Sequence, residues 1–149
     1  MQHVPAFRRF ASGHAADIES ADALVLSALK KLRARWMLGL DNVKIEGFGL
    51  IHSLAQSGVA ICDGFDSKST LENDAVIVRA LRRLRTLDRS MILLTSVEQL
   101  SFHDVANALG VPDSFVINEL PLARERLREI VELPLRTGAH KRAHLERIK

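Results

Sequence analysis

Apolar residues recur along this chain mainly at helical spacing, which predicts a series of amphipathic helices. The clearest stripe belongs to a helix predicted over 17–35, where apolar side chains fall at three- and four-residue steps on one face. The members of this stripe are Ile18, Ala21, Val25, Ala28, Leu29 and Leu32. A short helix is predicted near 7–11, and a third helix over 43–56. The residues of the third helix expected to point inward are Phe48, Ile51, Leu54 and Ala55.

The second part of the chain follows a stretch rich in glycine and turn-forming polar residues, which is typical of a linker. After it, one helix is predicted from Ser69 or Thr70 to Leu87, and another over 89–98. The fold class is therefore all-α, with two small helical bundles joined by a linker. The predicted units are a helical domain at 1–57, a linker at 58–69, a second helical domain at 70–133 and a basic tail at 134–149.

The second domain carries the pattern of a helix-turn-helix unit. Ser101 is a good N-cap for a short helix over 102–109, and Asp104 stands three residues later, as in a capping box. Gly110 follows where a left-handed backbone commonly ends a helix, and Val111-Pro112 predicts a rigid turn. The residues predicted to bury one face of the next helix are Val116, Leu120, Ala123 and Leu127. Two helices joined in this way form a unit used to bind DNA, although some helix pairs share the pattern without touching DNA.

Composition and charge refine this picture. With 149 residues, 47% hydrophobic and 26% charged, the chain has the mix of a soluble globular protein of one domain or two very small ones. Its net charge of +3 is uneven, since residues 76–149 hold 13 Lys and Arg against 9 Asp and Glu. A basic cluster in this half comprises Arg79, Arg82, Arg83, Arg85 and Arg89. Two interpretations stay open for it: a solvated helix face, or a contact for phosphate or an acidic partner.

A family resemblance covers most of residues 7–130. Residues 84–129, with Leu109-Gly110-Val111-Pro112 and the run from Ala123 to Arg128, resemble region 4 of the extracytoplasmic-function sigma-70 factors. A fainter similarity to region 2 of the same family lies in Phe7-Arg8-Arg9-Phe10-Ala11 and in residues 21–25 and 50–54. The resemblance implies that the second helix of the helix-turn-helix unit reads the −35 element of promoters.

The chain departs from this family where the recognition helix meets DNA. The family usually presents cations there, but this chain has Ile117 and Glu119. Residues 101–133 contain 3 Arg and 6 Asp and Glu, and because cation–phosphate contacts dominate DNA affinity, promoter binding is expected to be weak. The candidate DNA-facing positions are Ser114, Ile117, Asn118, Glu119 and Arg124.

One subgroup is a better match than the family at large. Residues 20–25 and 93–98 resemble the sigma-like domain of PhyR-type general stress response regulators, which mimic a sigma factor and sequester its anti-sigma factor. The favoured partner is therefore an anti-sigma factor, with core RNA polymerase as the partner of the alternative, a divergent but working sigma factor. An apolar groove between the two bundles is the candidate binding surface. Its candidate lining residues are Leu24, Val25, Phe48 and Ile51 on one side, with Val97, Leu100 and Leu120 on the other.

The remaining sequence features favour no enzyme, metal, cofactor or small-molecule substrate. His140 and His144 lie one helical turn apart, but no third ligand is near them in sequence. Cys62 lacks a basic neighbour that would activate it, and no phosphate-binding glycine loop is present. A single cysteine, no apolar run long enough to span a bilayer and no signal sequence predict a cytoplasmic protein.

Overall fold

The computed structural model describes residues 2–36, 39, 42–58 and 76–146, with Trp36 and residues 133–146 described by their backbone only. Every regular element in these residues is an α-helix, which confirms the predicted fold class. The helices are α1 (Val4–Ser12), α2 (Ile18–Trp36), α3 (Val43–Gln56), α4 (Val76–Arg83), α5 (Thr86–Ser96), α6 (Phe102–Leu109) and α7 (Asp113–Glu146).

Helices α1, α2 and α3 pack against one another and form the first helical group. Three aromatic rings lie at its centre: Phe48 contacts Phe7 and Phe10 edge-on, with ring centroids 5.2 and 5.3 Å apart. Gly47 makes room for this cluster, because a Cβ at that position would lie 2.2 Å from Cζ of Phe7. All three rings are at most 2% exposed, so they supply much of the apolar surface that this group buries.

Helices α4 to α7 form the second helical group, in which α7 packs against α4, α5 and α6. Its core joins the inner faces of α5, α6 and the first three turns of α7. The fully buried apolar residues there are Met91, Leu94, Val105, Val116, Leu120 and Ala123. The stripe predicted for the recognition helix is thus confirmed at Val116, Leu120 and Ala123, while Leu127 is half-buried.

The two helical groups are packed against each other. Helix α3 contacts α5 and α6, and the buried residues of both groups form one continuous core. The backbones of α3 and α6 approach closely, since a Cβ at Gly49 would lie 2.6 Å from the backbone oxygen of Ala108. Most of the predicted linker, at 59–69, lies outside the described residues, and the domain boundaries stay a prediction. The backbone of the predicted basic tail continues α7 as far as Glu146.

Several predicted helix bounds are confirmed, notably 43–56 and 102–109. Two are wrong: the helix expected to run to Leu87 ends at Arg83, and the helix expected over 89–98 is α5, which spans Thr86–Ser96. The break occurs because Arg85 is extended, with φ −57° and ψ 146°, as suits an N-cap residue. A further correction concerns Ile18, which was expected in the buried stripe of α2 but is 80% exposed at the first turn of that helix.

Candidate protein and nucleic-acid interface

The helix-turn-helix unit has the local chemistry that its sequence predicts. The Ser101 hydroxyl accepts a hydrogen bond from the backbone N–H of Asp104 (3.1 Å) and donates one to the Asp104 carboxylate (2.8 Å). Gly110 ends α6 with φ +67°, a left-handed conformation that favours glycine. The His103 imidazole lies 3.0 Å from the Asp113 carboxylate, which raises the pKa of His103 and ties the starts of α6 and α7 together.

The outer face of α7 holds four of the five candidate DNA-facing residues. Ser114, Ile117, Asn118 and Arg124 are exposed, with Ile117 52% exposed. Leu122 adds a further large apolar side chain to the exposed surface of α7 at 50% exposure. In the first two turns of the helix, this surface therefore offers an isoleucine, a serine and an amide, but no cation for a phosphate.

The fifth candidate, Glu119, is turned toward the protein. Its carboxylate lies 3.5 Å from the guanidinium of Arg126 and 3.9 Å from that of Arg85, and its side chain is 27% exposed. Because it pairs with cations of the same chain, Glu119 adds less repulsion toward DNA than its position in the sequence indicates. The expectation that it faces DNA is therefore corrected.

A buried carboxylate organises these arginines. Asp88, near the start of α5, is fully buried, and Arg85 donates two hydrogen bonds to it at 2.9 and 3.0 Å. Arg126 of α7 donates a third at 3.1 Å. The carboxylate raises the pKa of Arg85 and fastens α5 to α7, since a buried charge needs such partners. Sequence periodicity gives no sign of this cluster, because its members come from two helices.

The five arginines of the basic cluster differ in their contacts and exposure. Arg89 donates to the backbone oxygens of Arg82, Leu81 and Leu84 at 2.6, 2.8 and 3.0 Å, and to that of Gly13 at 3.4 Å. It thereby satisfies carbonyl groups at the end of α4, where a helix leaves them without partners. Arg82 donates to the oxygen of Ala16 (3.3 Å). The two members of the cluster that remain exposed on α4 are Arg79 and Arg83.

The predicted partner-binding residues are mostly unavailable to a partner in this structure. Five of them are at most 3% exposed and pack in the protein's own core: Leu24, Val25, Phe48, Ile51 and Leu120. Val97 is 49% exposed and Leu100 is half-buried. The prediction is corrected for the five because other helices of the chain cover them, for example α1 and α3 over the inner face of α2, and an apolar stripe in the sequence does not indicate what covers it.

Exposed apolar residues that were not predicted lie elsewhere. Ile18 and Leu26 lie two turns apart on α2, at 80% and 58% exposure, and Phe102 at the start of α6 is 47% exposed. The sequence does carry a signal for Leu26, which falls outside the buried stripe of its helix. An exposed apolar side chain by itself is common on soluble proteins, so these residues mark no site without further observations.

A chain of polar side chains crosses the contact between the two helical groups. The Ser90 hydroxyl of α5 lies 2.8 Å from Nδ1 of His52 in α3 and 3.1 Å from Nε2 of His14, which follows α1. Burial lowers the pKa of both imidazoles, to about 3 for His14, where the positive charge of Arg89 acts in the same direction. Arg9 of α1 also joins the two groups, through a bidentate pair with Glu98 at 3.0 Å.

Two further findings concern the described part of the chain. No group of three or more His, Cys, Asp or Glu side chains there is arranged to hold a metal ion. None of its helices combines the length and apolar character that a membrane span requires.

Comparison with solved structures identifies the fold. The chain is similar to the sigma factor RpoE from Bartonella quintana, whose structure was determined in complex with the anti-sigma factor NepR. The two share a TM-score of 0.66 and 22% sequence identity over 87% of this chain and 91% of that chain. The fold expected from the sequence resemblance, that of a sigma factor, is thereby confirmed. No protein-family model and no curated protein matches this chain.

Proposed function

We propose that this chain is a sigma-factor-like regulator of bacterial transcription initiation that binds an anti-sigma factor by protein–protein contact. Its promoter recognition is weak compared with that of a working sigma factor. The observation that carries this proposal is the outer face of α7, where Ile117 and Leu122 are exposed and the first two turns present no cation. DNA binding depends on cations that neutralise phosphates, whereas exposed apolar side chains are what protein partners cover.

The fold supports the anti-sigma partner. The similar sigma factor was crystallised with an anti-sigma factor, and this chain aligns with nearly its whole length. Our proposal extends that kind of partner to this chain. Within the candidate surface, Val97 is the exposed member, so we assign it the leading contact and keep half-buried Leu100 as a second.

The alternative is a divergent sigma factor that binds core RNA polymerase and promoter DNA. The observation in its favour is the intact helix-turn-helix geometry, with Ser101 and Gly110 in their capping roles. Ser114, Asn118 and Arg124 remain exposed on the recognition helix and could contact DNA.

Titration of labelled promoter duplex tests the DNA-binding half of the proposal. Binding is measured by fluorescence anisotropy at low and at physiological salt, with a scrambled duplex of equal length for comparison. We expect weak binding that does not distinguish the two duplexes. Nanomolar binding selective for the promoter would overturn the proposal and establish the alternative.

A charge-gain variant sharpens this test. Ile117→Lys with Leu122→Lys places two cations on the outer face of α7, and the plot of log affinity against log salt should steepen by about 1.8, at roughly 0.9 per phosphate contacted. The matched control, Ile18→Lys with Leu26→Lys, adds the same charge to exposed sites on α2. An equal response of the two variants would mean that the outer face of α7 does not meet DNA.

A pull-down experiment tests the proposed binding of an anti-sigma factor. The full chain is presented separately to purified NepR and to core RNA polymerase, and capture of NepR alone is the expected result. Val97→Glu should reduce that capture, because it places a charge in an apolar contact, while Ile18→Glu, at an exposed site on α2, serves as the control. Capture of the polymerase without NepR would support the alternative and refute the anti-sigma assignment.

A further inference from the structure

The contact between the two helical groups contains a buried polar relay, His14–Ser90–His52. Ser90 is fully buried and His52 is 4% exposed, and the hydroxyl between the two rings lies 3.1 and 2.8 Å from their nitrogens. His14 also packs edge-on against Phe10, with ring centroids 4.9 Å apart. The relay joins the first group to α5 across 76 and 38 positions of sequence. It therefore exists only while the two groups are in contact.

The relay is matched to two neutral imidazoles. Ser90 has one hydroxyl proton, so it donates to one ring nitrogen and accepts from an N–H of the other ring. If both rings were protonated, both nitrogens would donate to the same oxygen, and the hydroxyl proton would lose its acceptor. Nδ1 of His14 is buried without a hydrogen-bond partner among the described residues. A proton added to this nitrogen would therefore lack a hydrogen-bond acceptor.

The charges around the relay make protonation still less favourable. The positive charge of Arg89 in α5 lowers the pKa of His14, and His52 acts in the same direction. Arg82 of α4 in turn lowers the pKa of Arg89. The carboxylates on the neighbouring helices are engaged elsewhere: Glu98 after α5 pairs with Arg9 of α1. The corresponding pairs on the other elements are Asp22 of α2 with Arg8, Glu46 of α3 with Arg35, Asp88 of α5 with Arg85 and Arg126, Asp104 of α6 with Ser101, and Asp113 of α7 with His103. No carboxylate contacts either imidazole of the relay among the described residues.

We propose that acidification separates the two helical groups, because protonation of His14 and His52 is compatible with the open arrangement and not with the closed one. The relay is then a proton-sensitive latch between the groups. The proposal rests on the packing of the groups and not on the assigned function, so it stands or falls independently of what the protein binds.

Proton linkage gives the size of the effect. In the closed form the pKa of His14 is about 3, whereas an imidazole released to solvent has an ordinary pKa of about 6.5. Lowering the pH from about 7.5 to about 5.5 should therefore raise the ratio of open to closed molecules about tenfold through His14 alone. Burial also lowers the pKa of His52 in the closed form, so release of His52 in the same step should raise the ratio further.

A distance measurement between the groups tests the latch. Labels are attached to cysteines at Ala23 on α2 and Asn107 on α6, both exposed, in a full-length chain carrying Cys62→Ser. The ratio of molecules with a long intergroup distance to those with a short one should rise at least about tenfold between about pH 7.5 and 5.5, while far-UV circular dichroism stays unchanged. A constant distance, or a distance that changes only together with loss of helix, would overturn the proposal.

Variants separate the relay from other titrating groups. His14→Gln with His52→Gln keeps polar side chains but cannot take up a proton, so its intergroup distance should no longer respond to pH. His103→Gln is the matched control, because His103 is exposed and lies outside the relay, and it should respond as the wild type does.

Histidine NMR signals supply a readout that survives if the double variant fails to fold. The His14 signals of the closed wild-type protein should stay in their neutral form down to pH 5.5, and those of His52 should titrate below the ordinary imidazole pKa. Their titration near the ordinary pKa at constant intergroup distance would refute the latch.

Discussion

Gly49→Ala is expected to weaken the contact between the two helical groups. A Cβ at this position would lie 2.6 Å from the backbone oxygen of Ala108, where ordinary contact begins at 3.4 Å. Helices α3 and α6 must therefore separate by the difference, about 0.8 Å. Because the obstructing atom belongs to the backbone of a helix, it cannot turn aside as the end of a side chain could.

Two opposing effects decide the magnitude. Alanine is favoured over glycine inside a helix by about 0.8–1.0 kcal/mol. Overpacking a well-packed core costs about 1–3 kcal/mol, and a gap of 0.5–1 Å forfeits roughly a quarter to a half of each dispersion contact. Since the obstruction at Gly49 is rigid, we take the cost of overpacking from the upper half of its range, about 2–3 kcal/mol. The free energy of unfolding should then fall by about 1–2 kcal/mol, which lowers Tm by about 2–8 °C in a chain of this length.

Urea unfolding followed by far-UV circular dichroism measures this change. Ser53→Ala, an exposed substitution one turn further along α3, is the control, since it improves helix propensity without adding an atom, and it should be neutral or slightly stabilising. A Gly49→Ala protein that gained about 1 kcal/mol would show the full propensity benefit with no steric cost. That result would refute the close packing of α3 on α6.

Two further predictions concern single ion pairs. Arg9→Gln should lower the free energy of unfolding by about 1–3 kcal/mol, because it leaves the Glu98 carboxylate, which is 3% exposed, without its partner. Arg8→Gln, on the exposed side of the same helix, should lower it by less than about 1 kcal/mol. Equal losses of the two variants in chemical denaturation would contradict this account. The pKa of His103 measured by NMR should lie above the ordinary imidazole value because of Asp113. The pair therefore stabilises the fold at pH below the ordinary imidazole pKa, and this stabilisation disappears as the pH rises through the raised pKa. Asp113→Asn should return the pKa of His103 toward its ordinary value.

Local features of this fold could be read from the sequence because they are set by neighbouring residues. The bounds of α3 and α6, the cap at Ser101 and the left-handed Gly110 all depend on a few consecutive side chains. The stripe of α7 was likewise predicted at Val116, since periodicity within one helix shows which face is buried.

What the sequence did not reveal is what covers each buried face. Phe48 and Ile51 were expected to meet a partner, yet they are covered by the chain itself, and an apolar stripe looks the same in both cases. Asp88 and His14 gave no signal because their roles depend on residues brought together from distant helices. Glu119 was assigned to the DNA face from its place in a motif, while its orientation is set by arginines of two helices.

The pairs that join the two groups have a consequence for the order in which the protein assembles. Arg9 and Glu98 are 89 positions apart, and His14 and Ser90 are 76 apart, whereas the contacts inside α1 to α3 close much shorter loops. Loop-closure entropy therefore favours the first helical group folding before the two groups join. During synthesis α1 to α3 emerge well before Glu98, so the first helical group has time to form its own contacts before the partner of Arg9 is made.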